Sequence, residues 1–266
     1  MKNLLSAWSE VTRRIEQARP VLVLSDLDGT LARLEDVPDA VVLPGEVREV
    51  LEDLKANGSA TVGVISGRKI EDVVARVGVS GIWYVGNHGF ELRTPAGEDR
   101  TFFASEEAEY IRSLEEGISK RTQEIPGVLL ENKGPTLAVH YRRVESARLP
   151  DVDRICQEAF QQNQQRLRIL RGLCVIEFRL RESFNKGTAV RLIRKESLKD
   201  PLTFYFGDDV TDDDVFRVLL GVGIGVKVGR RPSRLASYSL EGPDEVLDAL
   251  VRIRCHLGEM STRFRS

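Results

Sequence analysis

Sulfur and aromatic side chains are scarce in this 266-residue chain, which has three Cys, two Met and two Trp, with aromatics at 6%. The cysteines, Cys156, Cys174 and Cys255, are odd in number and far apart, with no CxxC pair. That argues against a disulfide framework and against a thiolate zinc site. Neither sign of charge dominates: 39 Lys+Arg stand against 41 Asp+Glu, a formal net charge of -2. A general nucleic-acid binder needs a basic excess or stripe to neutralise phosphates, so that class is disfavoured. Long apolar runs are missing too, and no stretch approaches the length that crosses a bilayer. Near the N-terminus Leu4, Leu5, Trp8, Val11 and Ile15 recur at roughly helical spacing. Glu10, Arg13, Arg14 and Glu16 interrupt them, so the segment lacks a signal peptide's apolar core. The expectation is a cytoplasmic protein in a reducing compartment, with neither membrane nor nucleic acid as partner.

What is present, 41% hydrophobic and 30% charged residues, is the composition of a folded globular chain. Its length suggests roughly two domains. Val21–Ser25 is a buried strand candidate, and short apolar runs follow at 61–65, 82–85, 203–206 and 222–228. Strands that are apolar without alternation suit a parallel sheet covered on both faces. Helical patterns lie between them: 45–57, closed by Asn57-Gly58, then 70–77 and 186–198. The rhythm predicts an α/β fold. The middle differs, with a charged helix at 106–124, an alternating strand at 136–142, a helix at 151–165 ending in a Gln/Asn tract, and a strand at 173–180. These predict a small α+β module, residues 105–180, inserted into an α/β core formed by 1–104 and 181–266. The basic tail, Arg252, Arg254, Arg263 and Arg265, is expected to be frayed and solvated.

Asp26-Leu-Asp28-Gly29-Thr30 follows the first strand. Residues i and i+2 of an extended chain point to one side, so both carboxylates can face one spot. That spot lies beyond the carboxyl end of a parallel strand, where open α/β sheets bind ligands. Clustered carboxylates repel one another unless a cation offsets them, and Mg²⁺ is the natural hard partner. Read alone, the segment could also be an N-cap and turn. Ser66-Gly67-Arg68 follows the second strand; by itself it reads more readily as a turn and helix cap. After the run at 203–206 and Gly207, the segment Asp208–Asp214 holds five acids in seven residues. Acids also favour a helix start, but so many at a third strand terminus point to a metal.

Taken together, these motifs resemble the haloacid dehalogenase superfamily of phosphatases. Its signature of DxD[GT], a Ser or Thr, a Lys and an acidic motif matches Asp26 and Asp28, Ser66, Lys186 in Asn185-Lys186-Gly187, and Asp208 with Asp212. The resemblance implies a parallel-sheet, Rossmann-like core with an inserted α+β cap. It also implies that Asp26 is a nucleophile forming an aspartyl-phosphate and that Asp28 is a general acid and base. Mg²⁺ would be held by Asp26, the Asp28 carbonyl and Asp208, with Asp212 supporting it. Ser66 and Lys186 would hold the phosphoryl oxygens. Outside that motif, a lone lysine is usually a solvated surface residue.

Further segments are similar to the trehalose-6-phosphate phosphatase family: Gly86-Asn87-His88-Gly89, Glu131-Asn132-Lys133-Gly134, His140-Tyr141-Arg142, Val175–Arg179 and Gly207–Asp212. On an alternating strand His140 and Arg142 share one face, opposite Leu137, Val139 and Tyr141. Without the family, such a face is more readily a solvated charge network. By resemblance, Lys133, His140, Arg142 and Glu177 bind the distal glucose, with Asn87 and His88 nearby in the core and Arg68 at the substrate. Two positions depart from the family: Leu180 replaces a common Pro and Asp213 a common Glu. The length leaves no room for a synthase domain, so a stand-alone enzyme or the partner of a separate trehalose-6-phosphate synthase is expected. The implied reaction is Mg²⁺-dependent hydrolysis of a small-molecule sugar phosphate, trehalose 6-phosphate. The alternatives are a phosphatase for mannosyl- or glucosyl-glycerate phosphate or for sucrose phosphate, a phosphomutase, and a non-catalytic sugar-phosphate sensor.

Overall fold

The computed structural model describes residues 1–18, 20–35, 40–56, 58, 60–172, 174–181, 184–197 and 200–263. Asn57, Leu173, Leu198 and Arg265, at which expected elements or the tail were placed, lie outside these. The chain divides into two compact units, one made of Met1–Thr101 with Asn185–Ser266 and the other of Phe102–Phe184.

The first unit is built on one sheet. In chain order its strands are β1 (Lys2–Asn3), β2 (Val21–Ser25), β3 (Ala60–Ile65), β4 (Trp83–Gly86), β5 (Glu91–Arg93) and β6 (Asp99–Thr101). After the second unit, which contains β7 to β10, come β11 (Leu202–Gly207), β12 (Gly223–Val228) and β13 (Tyr238–Leu240). Among the described residues the order across the sheet is β1-β13-β12-β11-β2-β3-β4-β5-β6. Every pairing from β1 to β4 is parallel, and β4, β5 and β6 form an antiparallel edge. All residues of β2, β11 and β12 are buried, as their largely apolar runs predict, Lys227 of β12 being the one charged residue among them. The order reverses at β2, which is flanked by β3 and β11, so a crevice opens beyond the carboxyl ends of these strands.

Helices α1 (Trp8–Gln17), α2 (Gly45–Ala56) and α3 (Ile70–Val77) present apolar faces to this sheet. Val47, Val50, Leu51 and Leu54 of α2 are buried at the i, i+3, i+4, i+7 positions. The frayed basic tail is corrected. Arg252 and Arg254 ride on a long helix, Pro243–Arg263, which buries Val246, Ala249, Leu250, Ile253 and Leu257 in the core. That apolar stripe has helical period, and the arginines occupy the other faces. Arg254 pairs with Asp53 at 2.8 Å, and the Arg252 guanidinium lies 5.7 Å from the Trp8 ring centre.

In the second unit, α4 (Ser105–Thr122) and α5 (Leu149–Asn163) accompany an antiparallel sheet of order β7-β8-β10-β9. Its strands are β7 (Leu129–Asn132), β8 (Thr136–His140), β9 (Leu167–Gly172) and β10 (Val175–Leu180). Ile111, Leu114 and Ile118 of α4 and Val152, Ile155 and Ala159 of α5 cluster with Leu137, Val139, Ile176 and Phe178. One sheet face is thereby apolar, and the residues between those on β8 and β10, including His140, Glu177 and Arg179, lie on the other. The Phe102 and Phe184 rings stack at the ends of the unit, with centres 4.2 Å apart and planes 7° from parallel. The expected strand at 136–142 is shortened: after His140 the Tyr141 N–H donates to the Cys174 carbonyl, and the chain then turns back through Val144 N–H to Tyr141 O. Arg142 sits in that turn, so no ladder places it on the face of His140. Nor is that face cleanly solvated, since Thr136 and Ala138 are buried opposite the longer Arg179 and Glu177. The remaining core helices are α6 (Lys186–Ser197) and α7 (Asp213–Leu219), and the Pro243–Arg263 helix is α8. Among the described residues no helix is long and apolar enough to cross a membrane.

Candidate active site

Four adjacent strands, β11, β2, β3 and β4, each release the chain at the same sheet edge, into Asp208, Asp26, Ser66 and Asn87 respectively. Parallel pairing aligns these ends, and Asp26 N–H extends the ladder by donating to Phe206 O at 2.8 Å. Gly29 then turns the chain sharply, its φ of +76° lying where side chains are disfavoured. A Cβ there would also fall 2.2 Å from Asp208 Oδ2, so only glycine lets the two loops approach.

Asp26, Asp208 and Asp212 each turn a carboxylate oxygen into one cluster, all within 4.8 Å of one another. Lys186, at the start of α6, is 3% exposed and reaches Asp26 Oδ1 at 3.0 Å and Asp212 Oδ1 at 2.8 Å. The Tyr205 hydroxyl donates to Asp212 Oδ1 at 2.6 Å, and Asp209 N–H donates to Asp212 Oδ2 at 2.8 Å. Both Asp212 oxygens are thus engaged within the protein, whereas Asp26 and Asp208 border the cluster more openly. Burial raises the Asp26 carboxyl well above its ordinary range; Asp212 and Asp208 add to the rise, and Lys186 opposes it. Burial and Asp212 likewise push Asp208 up to about 6. Burial would depress the Lys186 ammonium, but Asp212 and Asp26 outweigh it, so its pKa is raised and it stays charged. Three carboxylates against the Lys186 ammonium, with Lys227 behind Asp208, still leave a buried negative excess, and such an all-oxygen donor set fits a hard divalent cation.

Asp28, two residues beyond Asp26, has partners of its own. Arg68 grips it bidentately, Nη2 to Oδ1 at 2.6 Å and Nε to Oδ2 at 2.8 Å, and extends Nη1 to Asp72 at 2.8 Å. Ser66 Oγ lies 3.5 Å from Asp28 Oδ2 and accepts from Arg68 N–H at 3.2 Å. Asn87 is fully buried, and its N–H donates to the Arg68 carbonyl, while His88 N–H donates to Ser66 O at 3.0 Å. Both adopt positive φ, 49° and 57°, and the His88 ring packs so closely on Gly67 that a Cβ there would meet it at 2.3 Å. Asn87 and His88 therefore brace the Ser66–Arg68 loop.

Of the expected site residues, the first unit brings together Asp26, Asp28, Ser66, Arg68, Asn87, His88, Lys186, Asp208 and Asp212. In the second unit, His140 Nε2 lies 3.0 Å from Glu131 Oε2 and Lys133 Nζ lies 3.7 Å from the same oxygen. Glu177 Oε2 accepts from Arg179 Nη2 at 2.6 Å. Sequence reasoning passed over Tyr205, Asp72, Arg179 and Lys227. The last is a charged residue inside the apolar run 222–228, and that interruption was its signal.

The sequence model of the trehalose-phosphatase family matches residues 24–242. The chain belongs to the trehalose-phosphatase family. Trehalose-phosphate phosphatase B of Arabidopsis thaliana is 31% identical over 265 residues, which cover 94% of this chain and 70% of that protein. The trehalose-phosphate phosphatase of Mycobacterium tuberculosis (strain H37Rv) is 34% identical over 258 residues, covering 92% of this chain and 64% of its own length. Among solved structures, the C-terminal domain of C. albicans trehalose-6-phosphate phosphatase superposes with a TM-score of 0.80 at 21% identity, covering 92% of this chain and 96% of that one. Aspergillus fumigatus trehalose-6-phosphate phosphatase superposes with a TM-score of 0.67 at 25% identity, covering 92% and 96%. The predicted α/β core is the fold these neighbours share. The family is one of phosphatases, and the motifs named from the sequence fall inside the matched span.

Proposed function

We propose that the chain hydrolyses trehalose 6-phosphate to trehalose and phosphate through an aspartyl-phosphate on Asp26. The observation that carries this reading is the buried cluster of Asp26, Lys186, Asp208 and Asp212 beside Asp28 and Ser66. An Asp26 oxygen attacks phosphorus and the bond to the sugar 6-oxygen breaks. Asp28 gives that oxygen its proton, then takes one from the water that attacks the aspartyl-phosphate, returning Asp26 and free phosphate. Arg68 orients the Asp28 carboxyl for both transfers. Ser66 Oγ and the Lys186 ammonium bind the phosphoryl oxygens, and Asp212 with Tyr205 fixes the ammonium for that task. Mg²⁺ fits the donor set of Asp26 and Asp208, with Asp212 supporting it and the Asp28 carbonyl completing the set; when bound, it offsets the charge between carboxylate and phosphate dianion.

Lys133, His140, Arg142 and Glu177 of the second unit bind the sugar hydroxyls in this reading, with residues 105–180 acting as the specificity cap. The three free cysteines suit a reducing cytoplasm, where a separate trehalose-6-phosphate synthase supplies the substrate. Phosphate release measured over a panel of sugar phosphates tests the proposal. Trehalose 6-phosphate should be the preferred substrate, EDTA should stop turnover and Mg²⁺ should restore it. A preference for sucrose phosphate or a glycosyl-glycerate phosphate would replace the substrate, and indifference to chelation would remove the metal.

A further inference from the structure

Lys227 lies in β12, a strand buried along its whole length, and its side chain is 2% exposed. A buried ammonium must find acceptors. It donates to the main-chain carbonyl of Asp208 and to that of Val228 at 2.7 Å. The parallel ladder between β11 and β12 runs as far as Gly207 opposite Lys227. One residue on, β11 has ended and the chain enters the turn of Val210–Asp212, so the Asp208 carbonyl leaves the ladder. The Lys227 ammonium takes the place of the lost strand partner. It anchors the main chain of Asp208 from behind, while the Asp208 carboxylate reaches forward to Asp26 and Asp212. The charges around it are Asp208, Asp212, Asp209 and Arg231. An apolar side chain would fill the sheet interior at less desolvation cost, so packing alone does not account for an ammonium here.

We infer that Lys227 is a positioning residue for divalent-cation binding, holding Asp208 through its main chain in the placement that the cation requires. This rests on the reading of Asp208 as a metal ligand. Mg²⁺ titration of the full chain by calorimetry, for the unaltered protein, Lys227→Met and Lys227→Gln, tests it. Lys227→Met should raise the Mg²⁺ dissociation constant about tenfold or more, the usual cost of losing a support behind a metal ligand. Lys227→Gln keeps two N–H donors without the charge and should raise it less. Excess Mg²⁺ should recover most of the turnover, so that the defect lies in half-saturation and not in kcat.

Melting temperature in EDTA reports separately on the fold. A lysine with a structural role only would lower that temperature and leave the Mg²⁺ constant within about twofold, a result that overturns the inference. Tighter Mg²⁺ binding by Lys227→Met also overturns it, since charge and not placement would then govern the site. Absence of Mg²⁺ binding by the unaltered protein removes the metal reading itself. Normal binding by the unaltered protein with an unchanged constant in the variants removes Lys227 alone. Should Lys227→Met not fold, Lys227→Gln carries the same decision.

Discussion

Asp26 combines two demands that conflict in the free protein. It is 5% exposed and shares its surroundings with Asp208 and Asp212, so its charged form is disfavoured; yet the nucleophile we propose it to be must be charged. Asp26→Asn should cut phosphate release by roughly 10³-fold or more, the scale on which loss of a nucleophile acts. Circular dichroism should still report the native fold, and the melting temperature in EDTA at neutral pH should rise, because one of three repelling charges is gone. The same repulsion makes stability depend on pH. Asp208 is raised from 3.8 to about 6, so the native state binds its proton more tightly than the unfolded chain does. Its contribution is therefore fully present below the unfolded value and lost as pH climbs through about 6. In EDTA the melting temperature should fall over that window. Added Mg²⁺ should raise it more at pH 7 than at pH 5, and an equal gain at both would disconnect the cation from these carboxylates.

At the level of elements, what was legible in the sequence followed from local pattern. Val21–Ser25 and Ile70–Val77 were placed to the residue, since a buried parallel strand and a short amphipathic helix declare themselves within their own span. Asp26 and Asp208 drew notice for a related reason, as acids gathered where such strands end, whereas Ser66 and Lys186 stood out only through their resemblance to a family motif. β7 and β9 were missed although each pairs with the next strand in the chain, because their own patterns are weak: β7 is only Leu129–Asn132, and β9 carries Arg168 and Arg171 among its apolar residues. Arg142 was misplaced because alternation continues past the point where the backbone leaves the ladder. Lys227 was overlooked as a blemish in an apolar run, though a charge there is costly unless it is answered. In α8 the arginines drew notice and the stripe beneath them did not. Leu250, fully buried on that stripe, gives the test: Leu250→Ala should cost about 2–4 kcal/mol in urea unfolding, the range for truncating a core leucine. A loss near zero would return the helix to the status of a loosely held tail.

For the whole molecule, a net charge of -2 conceals a division of labour. The first unit gathers carboxylates around Lys186 and Lys227, and the second places Lys133, His140, Arg179, Glu131 and Glu177 on a small sheet. If the second unit reads the sugar, Arg142→Ala should depress kcat/KM for trehalose 6-phosphate roughly tenfold, the worth of one good polar contact, while sparing p-nitrophenyl phosphate. Equal losses on both substrates would mean that Arg142 serves the fold alone. The stacked Phe102 and Phe184 rings have a consequence of another kind. They hold the entrance and exit of an 83-residue insertion, Phe102–Phe184, side by side. To the chain that continues on either side, so long an excursion closes like a short loop, and loop entropy grows only slowly with length. The segment therefore has the geometry of an exchangeable cassette: its sequence can be rewritten between two phenylalanines at little cost in loop closure to the sheet of the first unit.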